Sequence, residues 1–537
     1  MTKRRVSVYV LCVLGVLLVG VSAVWLLRGD AETIDRFETV ARPAKTHPDY
    51  ADTVIPPNIC PMNFVVDEPG EKYCVKLTSK QGKPVEVFSR SPGIVIPVKP
   101  WRELLGQNRG EKLSIEVYVK GTGGVWRRFA PVENTVAAEP IDAYLVYREM
   151  PTYNLIWSNM GIYERNLEGY GVRPVLNNRS FGRGCCNCHT FSGNSAGTMA
   201  MNVRGVKTST VKGGLLIARD GVVTRVVNTA TPFNPVPAIY LAWHPSGKAI
   251  AFSSNKVNQT FHDTGENRHS VDSWSDMGLY LLESNQVTTD PRIARPDVLE
   301  TSPWWSPDGK YLYFCSAKRL PIHDYSQFRY DMVRIAYDVE THTWGPQLET
   351  VVTTDDTKPS IARPAIPPDK KDVLKSVAQP VVSPDGRFIL FCIAAFGNFP
   401  VYQETSDLYI LDLETKECRP LDAANSDRSD SWHSWSSNGR WIVFSSKRPA
   451  GLMARPHIAY VDTSGRARKP FILPQKDPTF YTSYVRTFNF PMLITGPIPL
   501  SQRQILRALN DPDKQVQAQL DPALRKPDGT TGATTPR

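Results

Sequence analysis

"WWSPDGKYLYFCS", residues 304 to 316, decides the fold. An apolar entry meets a Ser-Pro-Asp-Gly turn, then one polar residue, then a strand of alternating character. The Asp-Gly step supplies the positive φ that a tight antiparallel connection needs. The phrase returns as "AWHPSGKAIAFSS" (242 to 254), "VVSPDGRFILFCI" (381 to 393) and "SWSSNGRWIVFSS" (434 to 446). A loose spacing of roughly 50 to 75 residues marks a repeat architecture with insertions between its units. "SDMGLYLLE" (275 to 283) and "SDLYILDLETKE" (406 to 417) read as third strands of two such units.

The chain has 537 residues, more than one ordinary core holds. Its 41% hydrophobic and 22% charged content is normal globular usage, and 44 prolines with abundant Trp and Tyr lean towards β structure. The net charge of +10 implies a solvated basic surface or attraction to acidic partners. No Lys/Arg tract beyond the first residues argues for nucleic acid. Neither a G-x-x-x-x-G-K-[ST] loop nor a strand-linked G-x-G-x-x-G is present, so no nucleotide is expected.

The repeated turn-and-strand phrase resembles the TolB-type (WD40-like) β-propeller repeat, whose hallmark is W-S-P-D-G-K before a strand. The match covers about residues 190 to 465. The resemblance implies a mainly β protein built as a ring of blades. Five units can be counted. A sixth is expected from "FILPQKDPTFYTSYVRTFNFP" (471 to 491) or from the segment before residue 185. Such a fold hosts many activities and names none.

Chemistry is concentrated in "FGRGCCNCHTF", residues 181 to 191, which places three of nine cysteines and one of nine histidines in five positions. Cys-x-x-Cys-His is the attachment signature of c-type haem. Two thiols add to the two vinyl groups, and the adjacent imidazole reaches the iron. This resemblance to c-type cytochromes implies one haem c on Cys185 and Cys188, with His189 as the proximal ligand. A closed zinc site would need a fourth ligand, and no second paired motif supplies one. A redox dithiol is the other rival, but its usual βαβ flanks are missing. Cys186, inside the pair, has no role in the haem reading.

Aligning "CHTFSGNSAGTMAMNV" with "WHSWSSNGRWIVFSS" sets His189 opposite His433 and Phe191 opposite Trp435. The motif then ends where the inner strand of the first visible blade begins, and the haem lies at the channel mouth. Met199 or Met201 is the candidate distal iron ligand, although both align with packed positions in other blades. His433 and His244 are weaker candidates, and an open sixth position would let the iron bind small molecules.

Lys3, Arg4 and Arg5 precede an uncharged run from Val6 to Leu27, long enough to span a bilayer. Residues 1–29 are expected to be an N-terminal transmembrane helix, with a signal cleaved near "VSA" (22 to 24) as the alternative. Either leaves the bulk of the chain periplasmic, anchored in the first case to the inner membrane. Residues 30–80 read as a proline-rich irregular segment and 81–142 as a small β-sandwich-like domain. Residues 143–184 read as an aromatic-rich connector, 185–500 as the propeller and 501–537 as a disordered tail. Cys60 and Cys74 bracket a Pro-Gly turn, as a disulfide or as two buried thiols. Cys315 and Cys392 suit core packing.

The resulting expectation is a membrane-anchored, extracytoplasmic monohaem c-type cytochrome on a six-bladed propeller, exchanging electrons with a redox partner protein. Two alternatives stand beside it. One is a haem enzyme acting on a small molecule, since hydrazine synthase is similar in plan, joining c-haem domains to a propeller. The other is a TolB-like scaffold that binds protein or glycan.

Overall fold

The computed structural model describes residues 34–152, 159–205, 213–262, 268–449 and 451–524. The expected membrane helix lies outside them. Among the described residues no helix is long and apolar enough to cross a membrane.

Each Ser-Pro-Asp-Gly phrase folds as the hairpin between the inner two strands of a blade. Ser306 Oγ donates to Asp308 (2.6 Å) and accepts from the Tyr311 N–H (3.0 Å), while Asp308 accepts from the Lys310 N–H (3.1 Å). Ser436, Asn438 and Trp441 repeat the pattern. Gly309 and Gly439 close these turns at φ 73° and 64°, where a side chain is strained.

Six antiparallel sheets of four strands follow one another around a channel. From the channel outwards, blade 2 runs Cys185–Phe191, Met199–Arg204, Gly213–Arg219, Val222–Asn228. Blades 3 to 6 have inner strands Tyr240–Trp243, Val298–Trp305, Ser376–Val382 and Asp430–Trp435. Blade 1 is composite. Its inner strand, Arg486–Ile494, pairs with Tyr144–Pro151, which continues outwards to Gly161–Asn166 and Val172–Asn177. Each inner strand touches the next, and blade 6 touches Arg486–Ile494, so the ring is closed. The chain is a six-bladed β-propeller.

Blade 1 corrects the reading of 143–184 as a connector. Its described part supplies three strands of a blade, while residues 153–158 fall outside the description. The tail also departs from expectation. Gln502–Leu509 is a helix with a Ser501/Gln504 capping box and buries Ile505, Ala508 and Leu509. Gln515–Gln517 and Gln519–Leu520 add parallel outer strands to blades 2 and 3. Residues 525–537 lie outside the description.

The N-terminal domain begins near residue 37, not 81. A seven-stranded sheet centred on Lys112–Lys120 and a three-stranded sheet pack with the helix Val98–Gln107. The proline-rich segment supplies the edges, including Phe37–Pro43, which pairs in parallel with Trp126–Ala130. Edge strands tolerate proline because their outer N–H groups need no partner. Cys60 and Cys74 are separate buried thiols, and Cys315 and Cys392 are buried in the propeller.

This domain shares one core with the ring. Trp101 and Phe129 belong to the same cluster as Leu145, Trp441 and Phe488. Trp441 is fully buried and its Nε1 donates to Glu139 O at 3.3 Å. Trp441→Ala should cost about 3–5 kcal/mol, read from the denaturant midpoint, and should loosen both domains together.

Candidate functional site

The Cys-x-x-Cys-His motif does not precede an inner strand; it is one. Cys185–Phe191 lines the channel in blade 2. Five inner strands carry a residue of positive φ at a break in pairing: Cys188 (45°), Ser302 (58°), Gln379 (60°), Trp432 (47°) and Phe490 (54°). Such bulges re-aim side chains. The next residue is His189, Pro303, Pro380, His433 or Pro491. His189 and His433 are therefore equivalent positions.

The bulge separates the motif's side chains. Cys188 packs with Tyr240, Phe399, Tyr402 and Trp432 at the mouth where the inner strand begins. Cys185 accepts a hydrogen bond from Arg204 Nη2 at 3.6 Å. Cys186 turns towards blade 1 and donates to Leu176 O at 3.6 Å. His189 is 1% exposed and edge-on to Phe191 and Phe490; its buried ring nitrogens make no hydrogen bond of good geometry, although the backbone of Val146 and Phe490 lies close enough to interact with them.

Burial, reinforced by the positive charge of Arg148, pushes the His189 pKa down to about 3. The ring is thus neutral at ordinary pH, the form that ligates metals. Burial raises the Cys188 thiol to about 12 and pushes Cys186 up as well. A thiol held up in this way is a poor nucleophile. Among the described residues no three His, Cys, Asp or Glu side chains gather as metal ligands.

A cavity of about 210 Å³ opens beside Cys188, lined among others by Arg148, Arg204, Tyr240, Tyr402, Trp432 and Phe490. Met150 and Met160 also reach it. A tighter constriction carrying Trp304, Trp432 and Phe490 separates it from a second vestibule of about 240 Å³ at the opposite mouth.

The methionines expected as distal ligands sit elsewhere. Met201 pairs directly with His189 and Met199 with Phe191, and both are buried in the core between blades 1 and 2. A neighbour on the same sheet face cannot stand across an iron from His189. His433 is committed to Leu390 O (3.0 Å) and His244 to Gly309 O (3.0 Å), so neither has a free ring face for iron. Sequence reasoning missed Arg148, Arg204, Met150 and Met160, which come from two blades and carry no local motif.

The residue types and their order match a c-type haem motif, but of Cys185, Cys188 and His189 only Cys188 lines the cavity, and His189 pairs with Met201 of the core between blades 1 and 2. The two thiols, three residues apart, form no disulfide, and the imidazole beside Cys188 is neutral. The cavity is smaller than the roughly 300–1,000 Å³ that encloses drug-sized ligands, so it does not enclose a whole porphyrin.

No family model matches the chain, and no curated protein does. Among solved structures, it resembles the periplasmic gluconolactonase of Pseudomonas aeruginosa at 13% identity, over 61% of this chain and 68% of that one, with a TM-score of 0.26. Kuenenia stuttgartiensis hydrazine synthase matches at 11%, over 67% and 47%, with a TM-score of 0.36. The β-propeller domain of the Trilobed protease from Pyrococcus furiosus matches at 12%, over 68% and 95%, with a TM-score of 0.30. The chain spans less than half of the hydrazine synthase chain it matches. The propeller assignment rests on the strand pairing itself.

Asp272 stands behind the cavity wall, accepting from Asn255 (2.8 Å) and Asn398 (2.7 Å) while its Oδ1 has no partner. Burial raises its pKa to about 6 against these hydrogen bonds. The folded state therefore holds a proton that the unfolded state releases near pH 4. This contribution to stability is complete below about pH 4 and is lost as pH rises through 6. Asp272→Asn should flatten the fall in urea midpoint between pH 4 and 7.

Proposed function

We propose that the chain is an extracytoplasmic monohaem c-type cytochrome carried on a TolB-like propeller and anchored by its N-terminal segment. On this reading it passes electrons to or from a protein docked at the Cys188 mouth. The observation that carries the reading is the Cys185-x-x-Cys188-His189 order, with a buried, neutral imidazole adjoining two thiols that form no disulfide.

Cys185 and Cys188 would hold the haem covalently, and His189 would be the proximal ligand. When bound, the haem would supply one-electron redox chemistry at iron. Burial holds the imidazole unprotonated and ready to ligate. The aromatic residues around Cys188 would keep water from that thiol. Arg148 and Arg204 bring positive charge to the mouth, which would favour an acidic partner surface.

A scaffold reading draws on the opposite vestibule. Trp243 and Trp305 line it, each with a buried Nε1–H lacking an acceptor, a lining suited to a peptide or glycan.

Full-length protein matured in a host that loads c-type haem should gain the mass of one haem and give a c-type pyridine haemochrome spectrum. Cys185→Ala with Cys188→Ala should abolish both, while Cys186→Ala should leave both unchanged. Exported protein that weighs no more than its polypeptide would sink the redox reading and leave the scaffold.

A further inference from the structure

Arg268 is 2% exposed, and its Nε and Nη1 meet no hydrogen-bond acceptor. Arg148 likewise keeps a buried Nε without an acceptor. Buried cations are rarely left unpaired, because the desolvation cost goes uncompensated. Arg148 belongs to the mouth beside Cys188, and Arg268 stands behind its wall, against Tyr402. Arg148 lines the cavity of about 210 Å³. Arg268 shares its strand face with Ser270, another lining residue, and its guanidinium lies 4.7 Å from the ring centroid of Tyr402, a third. Arg204, also lining, donates to Cys185. Asp272, the carboxylate behind the wall, is taken by the amides of Asn255 and Asn398. The rest of the lining includes Tyr240, Phe399, Trp432 and Phe490.

We propose that this cavity is a binding site for a carboxylate carried on a flat apolar body, with Arg148 and Arg268 as its ion-pair partners. The planar guanidinium fork matches a carboxylate, and the aromatic walls match a flat apolar body. Two sources share this chemistry. One is a propionate of the attached porphyrin, which rests on the haem reading above; the other is a free aromatic monocarboxylate.

The test uses benzoate as the probe, with binding followed by tryptophan fluorescence. The full chain carrying Cys185→Ala and Cys188→Ala, which takes no covalent haem, should bind benzoate saturably. Arg148→Gln and Arg268→Gln should each weaken that binding by about tenfold or more, as expected for a charge-assisted hydrogen bond. Arg268→Lys should restore part of it, and Lys248→Gln, which removes a surface cation, should change nothing. In haem-loaded protein, failure to bind benzoate, with a midpoint potential that falls in both Gln variants, assigns the site to a propionate. Equal benzoate binding with and without haem assigns it to a free carboxylate. Absence of binding to the haem-free chain, or binding unchanged in both Gln variants, overturns the proposal. Failure of haem attachment alone sinks the cytochrome reading and leaves this test intact.

Discussion

The pairing of Arg486–Ile494 with Tyr144–Pro151 is the constraint on which the rest depends. It joins segments far apart in sequence; Glu149 and Arg486, bonded across it, are 337 residues apart. Backbone hydrogen bonds close the ring and remove the two sheet edges that an open fan of blades would expose. The same pairing builds one wall of the candidate site. Arg148 and Met150 come from one of the two strands, Asn489 and Phe490 from the other. It also fuses the two domains, because Leu145, Tyr147, Phe488 and Leu493 share a core with Trp101 and Phe129. A change that opened this seam would expose His189 and unseat the N-terminal domain together.

What was legible in the sequence follows the range of the interaction. The Ser-Pro-Asp-Gly turns were readable because the hydroxyl, the carboxylate and the glycine act within six residues. Blade 1 lacks that turn, since its inner strand arrives from the far end of the chain, and residues 143–184 therefore looked like a connector. The parallel strands at 515–517 and 519–520 were hidden for a related reason. They bind by backbone pairing to existing edges and require little side-chain pattern.

The site divides in the same way. Cys185, Cys188 and His189 form a local motif and were visible at once. The bulge that aims them was not, because Cys188, Ser302, Gln379, Trp432 and Phe490 share no side-chain type. Its trace is the proline that follows three of them, at 303, 380 and 491. Met199 and Met201 stand close to His189 in sequence. Antiparallel pairing turns that closeness into adjacency on one sheet face, the wrong geometry for opposing axial ligands.

The distribution of buried charge at the mouth has a logic of its own. Asp272 sits among the same residues as the arginines, and an ion pair with Arg268 would have pushed its pKa down. Its pKa is instead raised to about 6, and the amides of Asn255 and Asn398 satisfy one of its oxygens. Amides stabilise the carboxylate without consuming a cation. Arg148 and Arg268 are thereby left with unsatisfied N–H groups inside a wall that excludes water. A folded protein sustains that arrangement at a cost in stability, and an arriving anion recovers it. The mouth therefore favours occupation by an anionic group whatever stands on Cys185 and Cys188.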